Sequence, residues 1–157
     1  MAHAEELFPV LAEPVLYEFI DAEPPASIAE LRHRLARSES RRSPDGTEHW
    51  LNWVVRDAAG RAAGYVQATV FDNLDVNVAY AIGSAFWGKG IATDAVTQML
   101  ELVTDVYGVR RFAVVAERAN CRSVRLAQRL GFVEVSGDQA GNRTVAATEI
   151  LMYKVVP

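Results

Sequence analysis

The sequence predicts an α+β fold: one domain built on a mixed, mostly antiparallel twisted sheet flanked by helices. Three patterns carry this. From Trp50 to Gly83 apolar and polar residues alternate with a period of two, as in half-buried strands joined by turns. A strand pattern ending near Ile82, an amphipathic helix pattern and the apolar run Phe112 to Ala116 then follow in order, and a strand–helix–strand succession implies a parallel pair with a right-handed crossover. Helical periodicity before Trp50 and after Asn120 supplies the flanking layer.

The chain of 157 residues, half of them hydrophobic, suffices for one full core and falls short of two ordinary domains, so residues 1–157 are taken as one unit. A net charge of -4 argues against nucleic acid as a partner. Cys121 is the only cysteine, which excludes an internal disulfide framework, and no cysteine–histidine spacing suggests a metal site. The start Met1-Ala2-His3 lacks a signal-peptide pattern and no apolar run is long enough to span a bilayer. The expectation is a soluble cytoplasmic protein, with no membrane partner and with room for a homodimer.

Residues 4–12 and Val15 to Ile20 read as short helical pieces interrupted by prolines. Ser27 and Glu30 form a capping box opening a helix whose inner face is Ile28, Leu31 and Leu35, with Arg32, Arg34 and Arg37 left to solvent. Residues 38–49 read as a loop. Trp50 to Arg56 and Ala62 to Phe71 form strands about the turn Asp57 to Gly60, and Asp72 to Asp75 turns into the strand Val76 to Gly83. In that strand the bulky row Val76, Val78, Tyr80 and Ile82 alternates with the small row Asn77, Ala79, Ala81 and Gly83. The small row suits either a ligand groove or close packing under a helix.

Ala92, Ala95, Val96, Met99, Leu100, Val103, Val106 and Tyr107 recur at helical spacing, and Gly108 fits the C-terminal cap. Arg110 to Ala116 reads as a strand buried on both faces. Asn120 starts a helix with Val124, Ala127 and Leu130 inside and Gly131 as its stop. Phe132 to Val135 is a strand, Gly137 to Asn142 a turn, and Thr144 to Val155 the closing strand.

The stretch Phe86-Trp87-Gly88-Lys89-Gly90-Ile91-Ala92-Thr93 lies between strand and helix. Glycines admit a ligand close to the backbone, and a helix N-terminus offers unpaired N–H groups to an anion, so a phosphate-bearing ligand is expected on residues 87–92. Lys89 precedes Gly90 with no Ser or Thr beside it, which does not support a P-loop. Thr93 stands where a dinucleotide fingerprint needs its third glycine.

A second segment identifies the ligand. Trp87-Gly88-Lys89-Gly90-Ile91-Ala92 resembles the acyl-CoA loop Q/R-x-x-G-x-G/A of GNAT-family N-acetyltransferases, departing at Trp87. Asn120, Ser123, Leu126 and Gly131-Phe132 resemble the family's N-x-x-S-x-x-L-x-x-x-G-F, with a shifted last spacing. The wording Trp-Gly-Lys-Gly-Ile-Ala is similar to the branch of ribosomal-protein alanine acetyltransferases. The likeness covers roughly residues 48–155 and is looser before them. Relatives begin with a further strand whose place falls before this chain's start, so the resemblance implies a late start or a missing strand, with one sheet edge less covered.

The resemblance implies transfer of an acetyl group from acetyl-CoA, the co-substrate, to a primary amine by direct attack on the thioester. Pyrophosphate would lie on the amides of Gly88, Lys89, Gly90, Ile91 and Ala92, beside Trp87. The pantetheine arm would run where the strands ending near Ile82 and Ala116 splay apart, touching Asn120. Ser123 would donate to the departing thiolate, and a backbone N–H among Ala81, Ile82 and Gly83 would hold the oxyanion. On the residues alone, Asn120 and Ser123 read first as a helix cap and its support, with a functional role as the lesser reading. Lys89 reads as a solvated or phosphate-steering charge, and Cys121 as structural or incidental.

Asn77 occupies the position where many relatives carry the Glu that acts as general base, and an amide cannot take a proton. Asp75, Glu149 or a held water are the open substitutes. A site without a strong base favours a weakly basic acceptor: at pH 7 a lysine amine is neutral in roughly 0.04% of molecules, an α-amine in about 14%. The acceptor is therefore expected to be a small molecule or a peptide N-terminus. A non-catalytic acyl-CoA-binding module that has lost its base is the alternative. Glu18, Asp21 and Glu23 in the early region read as surface acids, with attraction of a cationic acceptor as the other reading. His3, His33 and His49 are scattered and gain no role from spacing.

Overall fold

The structure is a computed structural model that describes residues 3–136, 143 and 145–156. Strands β1 (Glu48–Arg56), β2 (Ala62–Phe71) and β3 (Asp75–Ile82) form the expected antiparallel meander. Helix α3 (Ile91–Tyr107) then leads to β4 (Arg111–Glu117), and α4 (Cys121–Arg129) to β5 (Val133–Glu134) and β6 (Glu149–Val155). Helices α1 (Ala4–Leu11) and α2 (Ile28–Ala36) precede the sheet. The strand order is β1-β2-β3-β4-β6-β5, and β3–β4 is the parallel pair in an otherwise antiparallel sheet.

Two cores sandwich this sheet. The larger gathers Leu51, Val66, Val76, Val78, Val96, Met99, Val103, Phe112, Val114, Leu126 and Met152, placing α3 and α4 on one face. Phe112, Val76, Val96 and Val103 are fully buried there, and each such apolar side chain contributes roughly 1.5–3 kcal/mol of transfer free energy. The smaller core sets Leu7, Val10, Leu11 and Leu31 of α1 and α2 against Ala62, Val54, Tyr65 and Ala81 on the other face. This second layer covers the end of the sheet near Ala81. It leaves Asn52, Asn77 and Ala79 exposed farther along the same face.

Local chemistry sets the boundaries. Ser27 caps α2 by accepting from the Glu30 N–H at 3.1 Å, and Glu30 returns a bond to the Ala26 N–H at 2.8 Å. Arg32 and Arg34 are drawn to Glu5 and Glu30 instead of standing free in solvent. Gly108 closes α3 in the left-handed conformation, φ 66°, its N–H on the Thr104 carbonyl at 2.9 Å. Gly64 adjoins a register shift between β1 and β2, and a Cβ there would lie 2.0 Å from the Ala81 carbonyl oxygen, so only glycine lets β2 approach β3 at this point.

Several expected elements are shorter. A 3-10 helix spans Pro14–Tyr17 where a helical piece was expected as far as Ile20. The strand anticipated over Phe132 to Val135 narrows to Val133–Glu134, and the closing strand starts at Glu149 because that is where pairing with Glu117 begins. The turn at Gly137 to Asn142, and Thr144, fall outside the described residues. Strand β4 is not buried on both faces: Val115 is 43% exposed, and among the described residues no helix packs against it.

Strand β1 stands at the sheet edge. Between it and α3 runs a groove of about 860 Å³ lined by Trp53, Val55, Phe86, Ile91, Met99 and Leu102.

Candidate active site

The site begins where β3 and β4 part. They pair through Asp75↔Arg111, Val76↔Phe112 and Asn77↔Ala113 and no further, although β3 runs on to Ile82 and β4 to Glu117. The result is a wedge with its apex at Asn77 and its mouth at Ile82. Gly83 donates its N–H to the Ala63 carbonyl at 2.9 Å. Antiparallel bonding alternates along a strand, so the polar backbone groups of Ala81 also face β2, and those of Val78, Tyr80 and Ile82 face the wedge. Of the three oxyanion candidates, Ile82 keeps a backbone N–H on the cleft side.

The glycine loop lies at the mouth. A 3-10 helix, Ser84–Phe86, and extended Trp87 lead into Gly88 and Gly90, whose φ values of 73° and 80° are left-handed. A Cβ at either glycine would meet nothing within 4 Å, so space above the loop is open. The first backbone bond of α3 runs from the Asp94 N–H to the Gly90 carbonyl at 3.0 Å. The N–H groups of Ile91, Ala92 and Thr93 therefore lack helical acceptors and stand at the positive end of a seventeen-residue helix. The loop is braced from both sides. Trp87 donates its indole N–H to the Ile82 carbonyl at 2.6 Å, and Lys89 donates to the Ala85 carbonyl at 2.8 Å. The Arg122 guanidinium sits 3.8 Å from the Trp87 ring centroid, tying α4 to the loop.

Across the wedge, Asn120 caps α4 by accepting from the Ser123 N–H at 3.1 Å. The Tyr80 hydroxyl reaches over from β3 to lie 2.9 Å from Ser123 Oγ. Burial pushes the Tyr80 phenol above its ordinary range, and the Ser123 hydrogen bond opposes this. Tyr80 thus stays protonated at neutral pH; its hydroxyl also donates to the Ser123 carbonyl oxygen at 3.1 Å, and either hydroxyl can donate in the contact between Tyr80 and Ser123 Oγ. Cys121 is exposed in the first turn of α4.

At the apex, the Asn77 Oδ1 accepts from Arg143. Asp75 is held by Arg111 through two bonds of 2.7 Å, and the guanidinium holds its carboxyl below the usual range. A depressed, doubly bonded carboxylate is a poor proton acceptor, so Asp75 does not suit the missing base. Glu149 pairs in register with Glu117 at the far end of β4 and accepts from the Ala146 N–H. Four residues of strand, about 13 Å, separate that level from Ala113. Glu18, Asp21 and Glu23 are exposed, and no group of three or more His, Cys, Asp or Glu among the described residues is placed to hold a metal ion.

Three residues escaped the sequence. Tyr80 was counted with the bulky core row; the available signal was that a phenol in a buried row needs a polar partner. Arg122 and Arg143 carry no local pattern, since only the tertiary fold brings them to Trp87 and Asn77.

The family and the fold match known proteins. The acetyltransferase (GNAT) domain family matches residues 1–133, and the chain belongs to that family. A GCN5-related N-acetyltransferase from Brucella melitensis superposes with a TM-score of 0.77 at 24% identity, over 98% of this chain and 71% of that one. The microcin C7 self-immunity acetyltransferase MccE, solved with acetyl-CoA and AMP, gives 0.79 at 21% identity, over 99% and 88%. Spermidine N-acetyltransferase from Vibrio cholerae, solved with CoA and spermine, gives 0.72 at 18% identity, over 98% and 90%. No curated protein matches the sequence. The chain is thus an acetyltransferase of the GNAT family by its family match, with the fold of these neighbours.

Proposed function

We propose that the acceptor is an α-amine or a similarly weakly basic primary amine, and that the chain's residues divide the work along the wedge. The observation that carries this is the parting of β3 from β4 beyond Asn77 and Ala113, with the open glycine loop at its mouth. The amides of Gly88 to Ala92 hold pyrophosphate, with Trp87 and Arg122 beside it. The arm then lies between β3 and β4, near Asn120, and the thioester comes to rest inside the wedge between its mouth and the apex, beside Tyr80. There the N–H of Tyr80 or Ile82 stabilises the oxyanion as the amine attacks. The C–N bond forms and the C–S bond breaks. The hydrogen-bonded pair Ser123 and Tyr80 returns a proton to the leaving sulfur and regains one from solvent, while the ammonium loses its proton to water.

With Asn77 in place of a carboxylate and Asp75 locked by Arg111, the amine must arrive largely neutral. This favours an α-amine over a lysine side chain, in keeping with the loop's likeness to ribosomal-protein alanine acetyltransferases. The acidic balance supports neither nucleic acid nor anionic membrane as a partner, and dependence on acetyl-CoA supports a cytoplasmic setting. Acetylation rates of an α-amino peptide and of its Nα-blocked lysine counterpart test the proposal at pH 7. The α-amine is expected to react at least tenfold faster; a clear lysine preference contradicts it.

A further inference from the structure

Arg143 crosses over the exposed part of the sheet to the apex of the wedge. Its guanidinium donates to Asn77 Oδ1 and lies 5.8 Å from the ring centroids of both Phe71 and Tyr153. Phe71, Asn77 and Tyr153 share one face: Thr69 pairs with Asn77, Asn77 with Ala113, and Ala113 with Tyr153, and Phe71 is two residues beyond Thr69. This is the face α1 and α2 leave uncovered, and it borders the point where the acetyl group is delivered.

The nearby acids are already engaged. Asp75 is held by Arg111, and Glu48 accepts the Trp50 indole N–H at 2.7 Å. No ion pair joins Arg143 to an acid among the described residues. A guanidinium carries five N–H donors and no acceptor, and the bond to Asn77 uses one. The same bond fixes the Asn77 amide: its oxygen must face the donor-only guanidinium, so its NH₂ is turned to the open side. Beside them the Asp75 carboxylate already receives Arg111 and feels the Arg143 charge, so the groups at the apex with hydrogens still to offer are the Arg143 guanidinium and the Asn77 NH₂. A second ammonium would meet the fixed Arg143 cation, which repels it, where the Asp75 carboxylate is already paired.

We infer that the amine acceptor carries an anionic group, a carboxylate or a phosphate, close to its reacting nitrogen, seated on the Arg143 guanidinium and the Asn77 NH₂. This deepens the acetyl-transfer proposal and rests on it. Arg143 then serves two ends: it orients the acceptor through the anion, and its charge destabilises the ammonium form of the neighbouring amine, which partly replaces the absent carboxylate base.

The test measures kcat/KM for acetyl transfer to L-phenylalanine, L-phenylalaninamide, phosphoethanolamine, ethanolamine and spermidine, in the natural protein and in Arg143→Gln and Arg143→Lys. The ratio of each anionic acceptor to its neutral partner, compared between proteins, cancels the intrinsic basicity of the amine. It is expected to fall at least tenfold in Arg143→Gln and to recover in part in Arg143→Lys. The carboxylate and phosphate pairs tell which anion is used. An unchanged ratio in Arg143→Gln, or spermidine as the most efficient acceptor, overturns the inference. If no amine is turned over, acetyl transfer fails separately, and titration of N-acetyl-L-phenylalanine and its amide into the CoA-saturated protein decides. Tighter binding of the acid that Arg143→Gln abolishes supports the anion seat; equal binding of acid and amide overturns it.

Discussion

The Tyr80 hydroxyl stands 2.9 Å from Ser123 Oγ and 3.1 Å from the Ser123 carbonyl oxygen, joining β3 to α4 across the wedge. If this pair delivers the proton to the leaving thiolate, Tyr80→Phe keeps the packed ring and removes the source. We expect kcat to fall about 10²-fold, in the range for general-acid catalysis, with the KM for acetyl-CoA nearly unchanged. Because burial holds the phenol above its ordinary range, the rate should rise with pH as the amine deprotonates and show no descending limb below about pH 10. Steady-state kinetics from pH 6 to 10 check both expectations.

Replacing Gly90 by Leu separates the loop's ligand from its fold. At φ 80° a side chain is strained, yet its Cβ would meet no protein atom within 4 Å. A left-handed non-glycine residue costs about 1–2 kcal/mol, or a fall in Tm of roughly 2–8 °C for a domain of this size. Coenzyme binding should be lost outright while the variant remains folded, as titration calorimetry and circular dichroism will show.

Trp87 braces the loop by its indole bond to Ile82 and its stack under Arg122. Trp87→Leu removes both. The KM for acetyl-CoA should rise about tenfold, since a lost hydrogen bond and a cation–π contact together are worth roughly 1–2 kcal/mol, with a smaller effect on kcat.

Glu6 ties α1 to β1 through Arg56, which, with a bond from His3, lowers its pKa from 4.5 to about 2. A depressed carboxylate stabilises the fold above its unfolded pKa and loses that contribution as pH falls to its folded value. The window here is about pH 4.5 to 2. Glu6→Gln should flatten the dependence of Tm on pH across that window. An unchanged slope would assign acid sensitivity elsewhere.

The meander, the crossover and the glycine loop were legible because each rests on local chemistry: period-two alternation for β1 to β3, left-handed glycines at 88 and 90, and the Ser27 and Asn120 caps. The family followed from the loop and the Asn120–Ser123 segment together. What stayed hidden depends on distant register. Nothing local to Tyr80 says that it faces Ser123, and nothing near Arg143 says that it will cross sixty-six positions to Asn77. Which of Ala81, Ile82 and Gly83 turns its N–H to the cleft was not legible, because bonding direction alternates along β3 and only pairing with β2 sets the phase. Asp75 stood among the open substitutes for the base because Arg111 lies thirty-six positions away in sequence.

The most direct measurement is a crystal structure with acetyl-CoA bound. Pyrophosphate should lie on the amides of Gly88 to Ala92, and the thioester should lie between β3 and β4, within hydrogen-bond reach of the Tyr80 or Ile82 N–H and of Ser123 Oγ. Coenzyme seated in the groove between α3 and β1, against Trp53 and Phe86, with the wedge empty, would contradict the account.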